Sequence, residues 1–282
     1  MDDQEQVQEM LGGRSPAEFI KLPEEERRAY YQEHLVTEEI VQIEEGDDNY
    51  ICNPELANGD MLRQEYFVGD DAAGVQVVRE AREVYYTENT FAVRSHWLCE
   101  FLIDTLADEK PFPVDSLIRN IVIIVDTKHT YDSDQFEATP MLQHEIEGEE
   151  ADSGAVWDLK QLLALENAEW IGIEIRGGGA LDGSDLQTQL KIQEISGVIK
   201  QLITRFPGER FSIKKIQRKP GSSYAAFHDL KPYWTPPTAQ TKQNLQHCRA
   251  SFAELMQVQI SEWTRELPER VTVEDLIWES LL

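Results

Sequence analysis

Three short apolar runs constrain this chain more than anything else in it. They are Ile118-Arg119-Asn120-Ile121-Val122-Ile123-Ile124-Val125, Trp170-Ile171-Gly172-Ile173-Glu174-Ile175 and Phe211-Ser212-Ile213-Lys214-Lys215-Ile216. The first is nearly continuous and rich in β-branched residues, the pattern of a strand covered on both faces. Between the runs the period changes to that of a helix. Residues from about 157 to 166 form one helix, and Leu186, Leu190, Ile195, Val198, Ile199, Leu202 and Ile203 mark a longer one. Strands separated by helices favour parallel neighbours joined by right-handed crossovers. The expected class is therefore α/β or α+β.

The N-terminal third is mainly helical. Ser15-Pro16-Ala17-Glu18 is a capping box with proline at the first helical position, opening a turn that carries Phe19 and Ile20. Pro23 restarts the chain, and Glu24-Glu25-Glu26 suits a helix N-terminus. That helix runs to about Leu35, with Ala29, Tyr30 and Leu35 among its apolar contacts. Ile40-Val41-Gln42-Ile43 alternates like a short strand, and an acidic turn follows over 44–49. Val77, Ala81 and Val84 mark a helix over about 72–86. Thr90-Phe91-Ala92-Val93 reads as a strand after it. Trp97, Leu98, Phe101, Leu102, Thr105 and Leu106 share one face of the next helix, which Pro111 and Pro113 end.

The expected organisation is a disordered acidic N-terminus over 1–14, a helical region over 15–109 and a helix-strand body over 110–282. Within that body, the stretch from His129 to Gly154 is rich in Asp, Glu, Gln and Ser and reads as a long insertion. Lys219-Pro220-Gly221 and Pro232–Pro237 form a second irregular region. A helix is expected from about Leu245 to Leu267, with Cys248, Phe252, Leu255, Met256, Ile260 and Trp263 clustered. A last short helix follows Thr272 and bears Leu276, Ile277 and Leu281.

The formal charge is −27, from 26 Lys and Arg against 53 Asp and Glu. Such a field repels nucleic acid phosphates and anionic membranes and draws in basic partners. No nucleic acid and no membrane are expected as partners. The N-terminus lacks a basic region followed by an apolar run, and no stretch is long enough to span a bilayer. Cys52, Cys99 and Cys248 share no motif spacing and read as reduced thiols of a cytoplasmic or nuclear protein. Cys99 and Cys248 are placed on apolar helix faces.

Candidate chemistry is sparse. Arg176-Gly177-Gly178-Gly179-Ala180-Leu181-Asp182-Gly183 follows a strand and precedes a helix, the context of a phosphate-cradling loop. It lacks the dinucleotide and Walker spacings, and Asp182 and Asp185 would repel phosphate, so a flexible connection is expected. His34, His96, His129, His144, His228 and His247 show no metal-ligand spacing. Asp126, His129, Asp132 and Asp134 cluster after a strand without a calcium-loop register. Lys214, Lys215, Arg218 and Lys219 form the notable basic cluster, read as an internal or partner-facing salt-bridge surface. No nucleophile elbow is present, no cysteine sits beside an evident base, and neither a catalytic residue nor a cofactor or metal is assigned.

Two segments carry a resemblance. Leu22-Pro23-x-Glu25-x-Arg27 followed by Tyr30-Tyr31 resembles the L-P-x-E-hydrophobic-R start of a large group of fungal F-box-like proteins. Glu80-Ala81-x-x-Val84-Tyr85-Tyr86-x-x-Asn89-Thr90-Phe91 resembles the E-A-x-x-hydrophobic-[F/Y]-Y-x-x-N-T-F stretch that follows in that group. The likeness spans about 19–101, and Glu26 stands where the group carries an apolar residue. The resemblance implies F-box-like helices packed on a helix-strand body, with a short leucine-rich-repeat-like arc as one solution and an ordinary layered α/β sheet as another. It also implies docking to the adaptor subunit of a cullin-type ubiquitin ligase. Leu22, Pro23, Glu26, Arg27, Tyr30 and Tyr31 are the candidate interaction residues. The leading reading is a non-catalytic intracellular protein-interaction module with an unknown protein partner. The alternative is a small-molecule or nucleotide-using enzyme built around the Gly177–Gly183 loop.

Overall fold

The computed structural model describes residues 3–43, 71–103, 114–127, 154–218 and 225–265. Helices alternate with strands. The helices are α1 (Asp3–Met10), α2 (Pro16–Phe19), α3 (Glu24–Leu35), α4 (Ala72–Glu88), α5 (Leu98–Leu102), α6 (Gly154–Lys160), α7 (Leu186–Arg205), α8 (Ala239–Gln246) and α9 (Phe252–Trp263). The strands are β1 (Val41–Ile43), β2 (Thr90–Arg94), β3 (Asn120–Asp126), β4 (Trp170–Arg176), β5 (Phe211–Arg218) and β6 (Ala225–Asp229). They form one mostly parallel sheet with the strands in sequence order. Val41 pairs with Phe91 in the parallel β1–β2 ladder, and Ile216 pairs with Phe227 in the antiparallel β5–β6 ladder.

The chain divides into two compact units, Met1–Ile123 with Ala164–Ile171, and Ile124–Leu163 with Gly172–Leu282. In the first unit, α1 packs on α3, while α2 and α3 both pack on α4. The capping box forms as the sequence indicates: the backbone N–H and hydroxyl of Ser15 both donate to the Glu18 carboxylate, at 3.1 and 2.8 Å. The disorder expected over 1–14 is corrected by α1. Val7, Met10 and Leu11 are buried there, giving the segment an apolar stripe that its acidic composition masks. Ala29 was expected among the apolar contacts of α3 and is exposed instead.

In the second unit, α6 and α9 pack on α7, whose buried face is Ile192, Ile195, Val198, Ile199 and Leu202. Leu186 and Leu190 fit the helical period but remain 68% and 51% exposed. The helix expected from 245 to 267 is two helices. Cys248 adopts φ +54° between them, and Ser251 restarts the chain with its own capping box to Glu254. Cys248 and Cys99 are both exposed, against the expectation of apolar faces. β6 has no counterpart in the expected elements.

Among the described residues no helix is long and apolar enough to cross a membrane. The expectations for Cys52, the acidic turn at 44–49, the 129–153 insertion, Lys219-Pro220-Gly221 and the helix after Thr272 lie outside the described residues.

Candidate functional site

The two motifs that carry the resemblance meet in the first unit. Arg27, in the first turn of α3, faces Glu80 in the middle of α4. Its Nε donates to Oε2 at 2.8 Å and its Nη2 to Oε1 at 2.7 Å, a two-pronged fork. Nη1 donates to the carbonyls of Leu22 at 2.6 Å and Ile20 at 3.4 Å, tying the fork to the turn before α3. Gln76 and Tyr31 complete the carboxylate's shell, at 2.8 and 3.3 Å. The Arg27 side chain is 9% exposed and that of Glu80 18%.

The electrostatics follow from this packing. The hydrogen bond from Arg27 to Glu80 raises the guanidinium's pKa further, against the pull of burial. Burial alone would push the Glu80 carboxyl up. The hydrogen bonds from Arg27 and Gln76 outweigh it and hold the carboxyl below its ordinary value. Burial, reinforced by the neighbouring Glu80 charge, drives the Tyr31 phenol far above its usual range.

Asn89 makes the second junction. Its side-chain N–H groups donate to the carbonyl of Leu35 at 2.8 Å and of Tyr85 at 2.9 Å, and its side-chain oxygen accepts from Thr37 N at 2.9 Å. One buried amide therefore caps α4 and holds the end of α3 beside it. Phe91 follows on β2, fully buried, with ring centroids 5.3, 5.5 and 5.2 Å from Tyr85, Tyr86 and Phe101. The helix expected over about 72–86 and the strand expected from Thr90 both form, and these aromatic contacts pack their junction. The reach of Asn89 to Leu35 and Thr37, more than fifty positions back, left no local signal in the sequence.

The six candidate interaction residues divide. Arg27 and Tyr31 are buried by contacts within the chain, Leu22 and Tyr30 are partly buried, and Pro23 and Glu26 are exposed. Arg14 donates to the Tyr30 hydroxyl at 3.2 Å and lies over its ring. The Glu26 side chain, which stands where the resembling group carries an apolar residue, is exposed. Glu26, Ala29 and Glu33 lie exposed at i, i+3, i+7 spacing on one stripe of α3.

The glycine-rich loop of the second unit is pinned. Lys215, in line with Phe211 and Ile213 on the inward face of β5, is fully buried. Its ammonium donates to Gly178 O at 3.0 Å and Thr188 Oγ1 at 2.6 Å. Thr188 Oγ1 donates to Asp185, whose carboxylate also accepts from the Thr188 and Ala180 backbone N–H groups at 3.0 Å each. Gln217 Nε2 donates to Gly179 O. Gly179 has φ +89°, and a Cβ there would collide with the Asp185 carboxylate. Burial pushes the Lys215 pKa down, with Asp185 opposing. The Ala180 N–H, one of the donors a phosphate would need, is already committed to a carboxylate.

Among the described residues no three His, Cys, Asp or Glu side chains gather so as to hold a metal ion. Compared with protein-family models, curated proteins and solved structures, the chain finds no match in any of the three.

Proposed function

We propose that this chain is a non-catalytic protein-interaction module of the fungal F-box-like type, with the exposed stripe of α3 as its docking element toward a ubiquitin-ligase adaptor. The supporting observation is the Arg27–Glu80 fork. It joins the two resembling motifs and fixes one face of α3 against α4, while Pro23 and Glu26 stay in solvent. A docking helix held rigid on one side loses little conformational freedom when its other side engages a partner. The intracellular setting, cytoplasmic or nuclear, belongs to the same reading.

Glu26 makes the reading testable. In this position the resembling group carries an apolar residue, and a carboxylate weakens a contact built for one. The exposed site tolerates substitution with little effect on the fold. Purified adaptor is expected to bind the unmodified chain weakly or not at all, and Glu26→Leu more tightly. Failure of both forms to bind removes the ubiquitin-ligase reading. Tight binding by the unmodified chain shows instead that Glu26 is no obstacle.

A further inference from the structure

The turn between α1 and α2 holds an exposed serine beside an arginine that has no acid to pair with. The run is Arg14-Ser15-Pro16. Proline pushes the residue before it toward extended backbone. Ser15 accordingly adopts φ −71° and ψ 155°, and the residue is exposed. An extended, exposed serine followed by a residue without an N–H is the geometry that a proline-directed protein kinase reads.

The partners of Arg14 are all neutral. Its guanidinium lies 5.4 Å from the Tyr30 ring centroid, and Nη1 donates to the Tyr30 hydroxyl at 3.2 Å and to Gly12 O at 3.4 Å. Among the described residues no carboxylate is in ion-pair contact with it. The turn is shaped around this cation. Gly12 has φ +61°, and a Cβ there would run into Arg14 Nη1 and the Tyr30 ring. Lys21 is a second exposed cation close by. The Glu18 carboxyl is held below its ordinary value, first by the Ser15 hydroxyl and then by attraction to Lys21 and Arg14. The hydroxyl bonded to that carboxylate at 2.8 Å therefore lies in the field of both cations.

We infer that Ser15 is a phosphorylation site for a proline-directed kinase, and that Arg14, with Lys21 beside it, receives the phosphate. The γ-phosphoryl group of ATP passes to Ser15 Oγ. The bond to ADP breaks, the Oγ–P bond forms, and the hydroxyl proton goes to the kinase's base. Ser15 thereby loses the hydrogen it donates to Glu18, and the new charge repels that carboxylate from the capping box. Guanidinium donors pair with phosphate oxygens two at a time, which the Tyr30 hydroxyl cannot match. Arg14 therefore leaves Tyr30 for the phosphate, uncovering a side chain of α3. Thr235-Pro236 is exposed too, but Lys231 before it is committed to the carbonyls of Gly208 and Phe211. The inference does not depend on the adaptor reading.

The test uses the full chain, a purified proline-directed kinase, and ATP with magnesium, with the phosphate located by mass spectrometry. Incorporation is expected at Ser15 of the folded chain and is absent from Ser15→Ala. The second ionisation of that phosphate, followed by phosphorus NMR, reports on its capture. Its pKa should lie about half a unit below the value in Arg14→Met, the size of an exposed ion pair. Arg14→Lys keeps the charge and should retain part of that shift. Nitration of Tyr30 by tetranitromethane should quicken on phosphorylation of the natural chain, and should not respond to it in Arg14→Met.

A folded chain that takes no phosphate at Ser15 overturns the inference, as does incorporation at Thr235 alone. A phosphate at Ser15 whose second pKa is the same in the natural chain and in Arg14→Met overturns the capture by Arg14. None of these readouts involves the adaptor, so failure here and failure of the adaptor reading are separate results.

Discussion

Arg27→Met should destabilise the first unit far more than an exposed ion-pair substitution would. The change removes both prongs of the fork to Glu80 and the donor to Leu22 O. It leaves a carboxylate that is only 18% exposed with two neutral donors, Gln76 and Tyr31. Breaking a buried pair from one side costs about 3–5 kcal/mol. The two remaining donors place the expected loss at the lower end, about 3 kcal/mol, or about 6–12 °C in melting temperature. Urea titration at constant slope measures it. The double variant Arg27→Met with Glu80→Leu should recover most of the loss, because no charge is then stranded. The pH dependence has a fixed sign. The folded Glu80 carboxyl titrates below its unfolded value, so its contribution is present above about pH 4.3 and is lost as the pH falls through the folded value. The gap between wild type and the double variant should narrow accordingly in acid. A loss below about 1 kcal/mol for Arg27→Met would put the fork in the class of surface pairs and refute this account.

Phe91→Ala should cost about 3–5 kcal/mol, since the ring is fully buried among three aromatic neighbours; an unchanged melting temperature would remove its role as anchor. Asn89→Ala should cost about 2–4 kcal/mol by stranding two carbonyls and one N–H. Asn89→Asp should cost more near neutral pH, where a buried negative charge meets those two carbonyls, and the excess should shrink as acid protonates it. Equal urea midpoints for the Ala and Asp forms at pH 7 would count against that placement.

The strands were readable because each run carries its own period. β3, β4 and β5 begin within two residues of where their apolar runs place them. β6 was not readable. Its residues are mostly exposed, and it exists because its backbone completes the edge of β5 rather than because it buries a face. The break after Gln246 was signalled by Ser251 and Glu254, but the apolar spacing across it suggested a single helix. At the candidate sites, the sequence singled out Arg27, Glu80 and Phe91 through their motifs. It could not show that Arg27 meets Glu80, because the contact spans 53 positions and leaves no local pattern. Lys215 was read as part of a basic cluster forming an internal or partner-facing salt-bridge surface. Its parity with Phe211 and Ile213 was the signal that it points inward, into the glycine-rich loop.

The Asn89 junction bears on how this chain tolerates change in length. It brings residue 89 back to residues 35 and 37, so the closed loop is about fifty residues long. The entropy of closing such a loop grows only logarithmically, and doubling it costs about 0.6 kcal/mol. Three hydrogen bonds from one buried amide exceed that penalty. Insertions between β1 and α4 should therefore accumulate with little effect on the helix pair, while residues 35–43 and 85–93, which hold the Asn89 contacts and the β1–β2 register, admit almost none.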